Sequence, residues 1–148
     1  MKKLLLVGKT GSGKTTLSQA LQGMELSYRK TQAVTYSPCI IDTPGEFVEN
    51  RRYYSALLAS SAECDLVGLV QDGTLRNSVF PPKFASMFNK KVIGIISKTE
   101  HKLCNVARAE KFLRWAGAEE IIHTSSLTRS GISELQEYLS YEVHSPLS

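Results

Sequence analysis

Cysteine is scarce: Cys39, Cys64 and Cys104 stand far apart, with no Cys-x-x-Cys pair and no Cys/His ligand spacing. That excludes a disulfide framework and a zinc site and suits a reducing cytosol. Long apolar runs are scarce as well. Near the start, Leu4 to Val7 follows Lys2-Lys3 and is too short for a secretory core or a membrane span, so neither secretion nor membrane anchoring is expected. No charge of one sign dominates either. The 18 basic and 14 acidic residues leave a net +4, and the pairs Lys2-Lys3, Arg29-Lys30, Arg51-Arg52 and Lys90-Lys91 are scattered and not interleaved with aromatics. Nucleic acid is therefore not an expected partner, although a modest basic excess suits smaller anions such as nucleotides. No internal repeat and no low-complexity linker interrupts the 148 residues. A chain of that length buries enough surface for one core, so a single domain over 1–148 is expected.

What the chain does contain is an alternation. Leu4 to Val7 is a short apolar run ending at Gly8, and Lys14 to Gln22 is rich in helix formers and closed by Gly23. Cys39 to Ile41 reads as a second strand, then a Pro/Gly turn, then a helix from about Asn50 to Glu63. Leu66 to Val70 and Val92 to Ile96 are continuous apolar runs rich in β-branched residues, as strands buried on both faces of a parallel sheet require. Between them, Pro81-Pro82 can open a short helix ending near Phe88. Val106 to Trp115, stopped at Gly117, predicts another helix, Ile121 to Thr124 a last strand, and Ile132, Leu135 and Leu139 a final helix after Gly131, with the tail frayed from about 143. Strand and helix repeated about five times predict an α/β doubly wound, mostly parallel sheet. Ligands of such sheets bind beyond the carboxyl ends of the strands.

There the chemistry-bearing residues fall. Gly8-Lys9-Thr10-Gly11-Ser12-Gly13-Lys14-Thr15 matches G-x-x-x-x-G-K-[ST] at every fixed position, directly after a strand and before a helix. Its glycines let the backbone wrap a phosphate, the amides of Gly11 to Thr16 converge on it, and the helix N-terminus adds its positive end. Lys14 then reaches the β- and γ-phosphates and Thr15 places its hydroxyl on Mg²⁺. Asp42-Thr43-Pro44-Gly45 ends the next strand, 27 positions after Thr15, where Asp42 can bind Mg²⁺ through water and the Gly45 amide can face a γ-phosphate.

A base-reading edge is expected from two later loops. Ser97-Lys98-Thr99-Glu100 stands where guanine-binding P-loop proteins carry N-K-x-D or T-K-x-D, with the acid pairing to the guanine edge. Both ends depart, since Glu100 is a methylene longer than aspartate and Ser97 is shorter than asparagine. Thr124-Ser125-Ser126-Leu127 resembles the S-A-K/L loop whose backbone contacts the base carbonyl, and reads equally as a hydroxyl-rich turn capping the last helix.

As a set, these motifs resemble small P-loop GTPases of the Era/Ras type. The block Lys30-Thr31-Gln32-Ala33, Ile41 to Glu46, Glu49-Asn50-Arg51 and Tyr54 to Leu57 is similar to the EutP/PduV family, over nearly the whole chain. Tyr36-Ser37-Pro38 and Ser78 to Pro81 incline it to the PduV branch. The resemblance implies a protein of the bacterial cytoplasm that serves ethanolamine or 1,2-propanediol utilisation and associates with microcompartment shell or related proteins. It implies Mg²⁺ and GTP/GDP as ligands, with ATP as the alternative. Only 14 residues, Met24 to Ser37, lie between the first expected helix and Pro38, which leaves a truncated switch I. Thr31 is chosen as the metal- and γ-phosphate-sensing threonine, with Thr35 as alternative. Glu46 stands where Ras-like proteins use glutamine to orient water, so hydrolysis, with Lys14 and Glu46 as the catalytic candidates, is expected to be slow or absent.

Three functions compete. One is a GTPase-like switch or assembly factor. Another is a phosphotransferase of the acetate kinase kind, which needs a cation for the acid, with Arg51, Arg52 and Arg76 as candidates. The third is a shell-binding scaffold with structural nucleotide.

Overall fold

The computed structural model describes residues 2–21 and 40–144, with side chains to residue 139. Five strands form one sheet: β1 (Leu4–Gly8), β2 (Ile40–Asp42), β3 (Leu66–Asp72), β4 (Lys91–Ser97) and β5 (Glu120–His123). Their order is β2-β1-β3-β4-β5 and every pairing is parallel. The helices are α1 (14–21), α2 (Glu46–Glu49), α3 (Tyr54–Ser61), α4 (Val106–Ala116) and α5 (Ile132–His144). This is an α/β fold consistent with a P-loop NTPase-like domain.

Alternation within the apolar strands sorts the core into two clusters. Leu5 and Val7 of β1, Val67 and Leu69 of β3, and Val92 and Ile96 of β4 face one side, where Val48 of α2, Leu57 of α3 and Ala109, Leu113 and Ala116 of α4 cover them. Leu4 and Leu6, Leu66 and Val70, and Ile93 and Ile95 face the other, under Leu17 and Leu21 of α1 and Ile132, Leu135 and Leu139 of α5. Each such fully buried side chain is worth about 1.5–3 kcal/mol of transfer free energy. The central strands carry most of it, which is why their sequences are apolar without interruption.

Several expected boundaries shift, each for a local reason. The helix expected over 50–63 is divided, because the Asn50 side chain accepts the Arg52 amide and closes a 3₁₀ turn at Arg51–Tyr53 before α3 begins. No α-helix follows Pro81-Pro82. Lys83 sits in the left-handed region at φ 63°, and only a 3₁₀ turn, Phe84–Met87, comes after it. Asn105 caps α4 by accepting the Arg108 amide, and Gly117 ends it with its N–H on the carbonyls of Arg114 and Leu113. β3 runs two residues beyond Val70, to Asp72. Thr31, Thr35 and the segment read as a truncated switch I lie outside the described residues. Among the described residues no helix is long and apolar enough to cross a membrane, and Cys64 and Cys104 are free thiols.

Candidate functional site

The strand order reverses at β1, which places a crevice at the carboxyl ends of β1 and its neighbours. The loop between β1 and α1 occupies it. Gly11 and Gly13 lie at φ 86° and 89°, conformations that cost other residues strain, and the Ser12 amide closes the turn on the Lys9 carbonyl at 3.1 Å. α1 starts at Lys14, so its free N-terminal amides belong to this loop.

The Lys14 ammonium is buried. It donates to the Asp42 carboxylate and, at 2.5 Å, to the Thr43 carbonyl, while the Thr15 hydroxyl donates to the other oxygen of Asp42 at 2.9 Å. Thr43 is itself fixed, its amide and hydroxyl both on the Leu6 carbonyl at 3.3 and 2.8 Å. The next turn comes so close that a Cβ on Gly45 would lie 2.3 Å from the Thr10 amide nitrogen. Only glycine permits that approach.

These loops wall a cavity of about 640 Å³ lined by Lys9, Thr10, Gly11, Gly13, Lys14, Thr15 and Thr16 together with Asp42 to Gly45 and Lys98. Beside it a hollow of about 120 Å³ is bounded by Gly13, Thr16, Ser97, Lys98, Glu100, Ser126 and Leu127. The two share Gly13, Thr16 and Lys98, so residues expected to hold phosphate and residues expected to read a base are neighbours. Chemically, the larger cavity sets a buried ammonium and a helix N-terminus beside a carboxylate and a hydroxyl, a combination suited to an anion bridged by a hard cation. Asp42 and Thr15 supply two oxygen donors, which fits a magnesium ion that keeps most of its waters. No cluster of three or more His, Cys, Asp or Glu side chains among the described residues competes as a metal site.

Other expected residues take supporting places. Gly8 and Ser12 are the buried residues of the loop that do not line the cavity. Ser97 is turned to the loop as well as the hollow, its hydroxyl donating to the Ser12 carbonyl at 2.5 Å. Glu100 is exposed and accepts the hydroxyl of buried Ser125 at 2.5 Å, and Leu127 stands 80% exposed at the rim. Glu46 opens α2 next to Gly45, exposed and outside the cavity lining. Arg51, Arg52 and Arg76 are exposed and likewise outside it, and the Arg52 guanidinium donates to the Tyr53 hydroxyl at 3.1 Å.

Two residues that hold the lysines of the cavity are given no role by the motif reading. Thr43 holds Lys14 through its carbonyl. Asp72, last in β3 and buried, pairs with Lys98 at 2.9 Å. Burial pushes the Asp72 carboxyl up, but bonds from the Thr74 hydroxyl, from Lys98 and from the Thr74 amide outweigh that and hold it below the usual aspartate range. The signal was the polar pair Gln71-Asp72 directly after an apolar strand, at the end where ligands bind.

The pattern of the family described as "Ethanolamine utilisation - propanediol utilisation" (PduV-EutP) matches residues 1–141. The chain is 40% identical to the propanediol utilization protein PduV of Citrobacter freundii over 149 aligned positions, covering 100% of this chain and 99% of that one. It is 36% identical to a protein named "Probable acetate kinase EutP" from Escherichia coli (strain K12), and 34% identical to its namesake from Salmonella typhimurium. Each alignment spans 94% of this chain and 89% of the relative. With its family pattern matched from end to end of the sheet and relatives aligned over the same span, the chain belongs to the PduV-EutP family of ethanolamine and propanediol utilisation proteins.

Proposed function

We propose that this protein is a Mg²⁺-dependent purine-nucleotide-binding protein, a GTPase-like accessory or assembly factor of propanediol or ethanolamine utilisation, working in the bacterial cytoplasm at microcompartments. One observation carries the reading. The cavity walled by the 8–15 loop and Asp42 to Gly45 adjoins the hollow of Glu100, Ser126 and Leu127, so the two together suit a molecule with a polyphosphate at one end and a flat polar base at the other.

In this reading Lys14 and the amides of the loop hold the β- and γ-phosphates, and Thr15 and Asp42 hold the metal. Bound magnesium draws charge from the phosphate oxygens. Lys98 and Gly13 form the floor between phosphates and base, and Glu100 meets the base edge after giving up the Ser125 hydroxyl. Glu46 brings a carboxylate close to the site but outside its lining, so it repels phosphate and orients water poorly, and turnover is slow. Thr31 remains the choice for sensing the γ-phosphate.

The two EutP relatives are named as acetate kinases, which keeps transfer to a small acid as the second reading. Arg51, Arg52 and Arg76 are exposed and none lines the cavity, which favours the first. Calorimetry with GTP, GDP and ATP, with and without Mg²⁺, alongside phosphate release with and without acetate, separates them. Guanine nucleotide binding that Lys14→Ala abolishes and Glu100→Ala makes less selective supports the proposal. ATP preference with acetyl phosphate formation replaces it with the kinase, and no binding leaves a scaffold.

A further inference from the structure

We infer that Asp72 is a positioning residue: through Lys98 it fixes the Gly11 carbonyl, and so holds the 8–15 loop in shape before any ligand arrives. The inference rests on the nucleotide reading for its consequence, but its geometry stands in the protein alone.

Asp72 and Ser97 are the last residues of β3 and β4 and sit opposite one another in register. Each anchors one carbonyl of the loop. Ser97 does so directly, hydroxyl to the Ser12 carbonyl at 2.5 Å. Asp72 does so at one remove, since its Oδ2 pairs with the Lys98 ammonium at 2.9 Å and that ammonium donates to the Gly11 carbonyl at 2.8 Å. Carbonyl and following amide point opposite ways across a trans peptide, so fixing the carbonyls of Gly11 and Ser12 also fixes the amides of Ser12 and Gly13.

Why Lys98 needs Asp72 follows from its surroundings. Its side chain is 36% exposed, and a long flexible ammonium with one neutral acceptor has many competing rotamers in water. A buried carboxylate aimed at it selects one. Asp72 is in turn aimed by Thr74, whose amide and hydroxyl donate to Oδ1 at 2.9 and 2.6 Å and leave Oδ2 for Lys98. Gln71 steadies the same segment, accepting the Val79 amide at 3.1 Å and donating to the Asn77 carbonyl at 3.3 Å.

The test compares Asp72→Asn, Lys98→Met and the double variant in the full chain. Asparagine keeps an acceptor for Thr74 and removes the charged partner of Lys98. Two quantities are read: hydrogen exchange of the Ser12 and Gly13 amides without ligand, and GDP affinity in Mg²⁺ by calorimetry. D72N should speed exchange at both amides and weaken GDP about tenfold, the equivalent of one charge-assisted hydrogen bond. The double variant should bind no more weakly than K98M, because both substitutions break one chain of contacts. Unchanged exchange in D72N overturns the inference, and so do losses in D72N and K98M that multiply in the double variant. Failure of the wild-type protein to bind GDP, GTP or ATP removes the nucleotide reading, and the exchange comparison then decides the role of Asp72 by itself. Should D72N not fold, Thr74→Val keeps the carboxylate but loosens its aim, and exchange at Ser12 identical to wild type overturns the inference.

Discussion

Lys14 and Asp42 form an ion pair of unequal members, and the inequality predicts unequal mutants. The Lys14 side chain is 7% exposed and that of Asp42 27%. Asp42→Ala leaves a buried ammonium that still donates to the Thr43 carbonyl but has lost its carboxylate. Breaking a fully buried pair in this way costs about 3–5 kcal/mol, and the opening at Asp42 admits water to the orphaned charge, so a loss of about 2 kcal/mol is expected. Lys14→Met leaves a carboxylate that keeps the Thr15 hydroxyl and gains water, while methionine refills the volume of the lysine stem, so under about 1 kcal/mol is expected. The double variant removes both charges and should recover most of what D42A loses. Urea denaturation of the ligand-free protein in magnesium-free buffer at neutral pH measures all three. A D42A variant no less stable than K14M, or a double variant less stable than D42A, would refute the idea that burial of the ammonium sets the cost.

Gly45→Ala puts a Cβ 2.3 Å from the Thr10 amide nitrogen, so the 43–46 turn must lift off the loop, with an expected loss of about 1–3 kcal/mol; an unchanged thermal midpoint would show that the contact is not close. Asp72 is held below its ordinary pKa, so its contribution is complete above the usual aspartate value and is lost as pH falls through the lowered one. The acid limb of stability against pH should therefore be flatter in D72N, and superimposable limbs would remove the electrostatic account. Tyr138 is pushed up to about 12 by burial and by its bond to Glu120 at 2.7 Å, so its contribution is complete below the ordinary tyrosine pKa and is lost as pH rises towards 12. Glu120→Gln should bring part of the tyrosinate absorbance change to lower pH, and a titration that stays where it was would leave burial as the whole cause.

How much of this could be read in the residues depended on whether the determinant was local. The apolar runs 4–7, 66–70 and 92–96 declare buried parallel strands because they are too short for a buried helix and too continuously apolar for a strand with one face in water. The 8–15 motif carries its own turn glycines, and Asp42 announces itself at the end of a strand. Boundaries were less legible where one side-chain bond decided them. Asn50 could have begun an α-helix, and instead its bond to the Arg52 amide closes a 3₁₀ turn. Lys83 at positive φ has no signature in composition, yet the short helix that Pro81-Pro82 suggested begins only after it, as a 3₁₀ turn over Phe84–Met87. Asp72 was hidden for a different reason. Its partner Lys98 is 26 positions away, and only the pairing of β3 with β4 brings them together. The spacing rules that find motifs within one loop do not reach across two.

Both lysines lining the cavity that pair with a carboxylate thus pair with aspartate, Lys14 with Asp42 and Lys98 with Asp72, and the two pairs answer a ligand differently. Lys98 is held by Asp72 on one side while it meets Gly11 on the other, so a ligand in the shared floor can be met without disturbing that pair. An anion at Lys14 competes with Asp42 for the ammonium, and a cation at Asp42 competes with the ammonium for the carboxylate. In the proposed reading, a phosphate arriving alone and a magnesium ion arriving alone each bear the cost of parting that pair. Arriving together they share it, and each finds the group the other has freed. On that reading the Lys14–Asp42 pair would couple nucleotide to magnesium, and by linkage the coupling would be equal in both directions. Its size is limited by the strength of the pair, so the stability difference between D42A and K14M also bounds how strongly the metal can control the nucleotide.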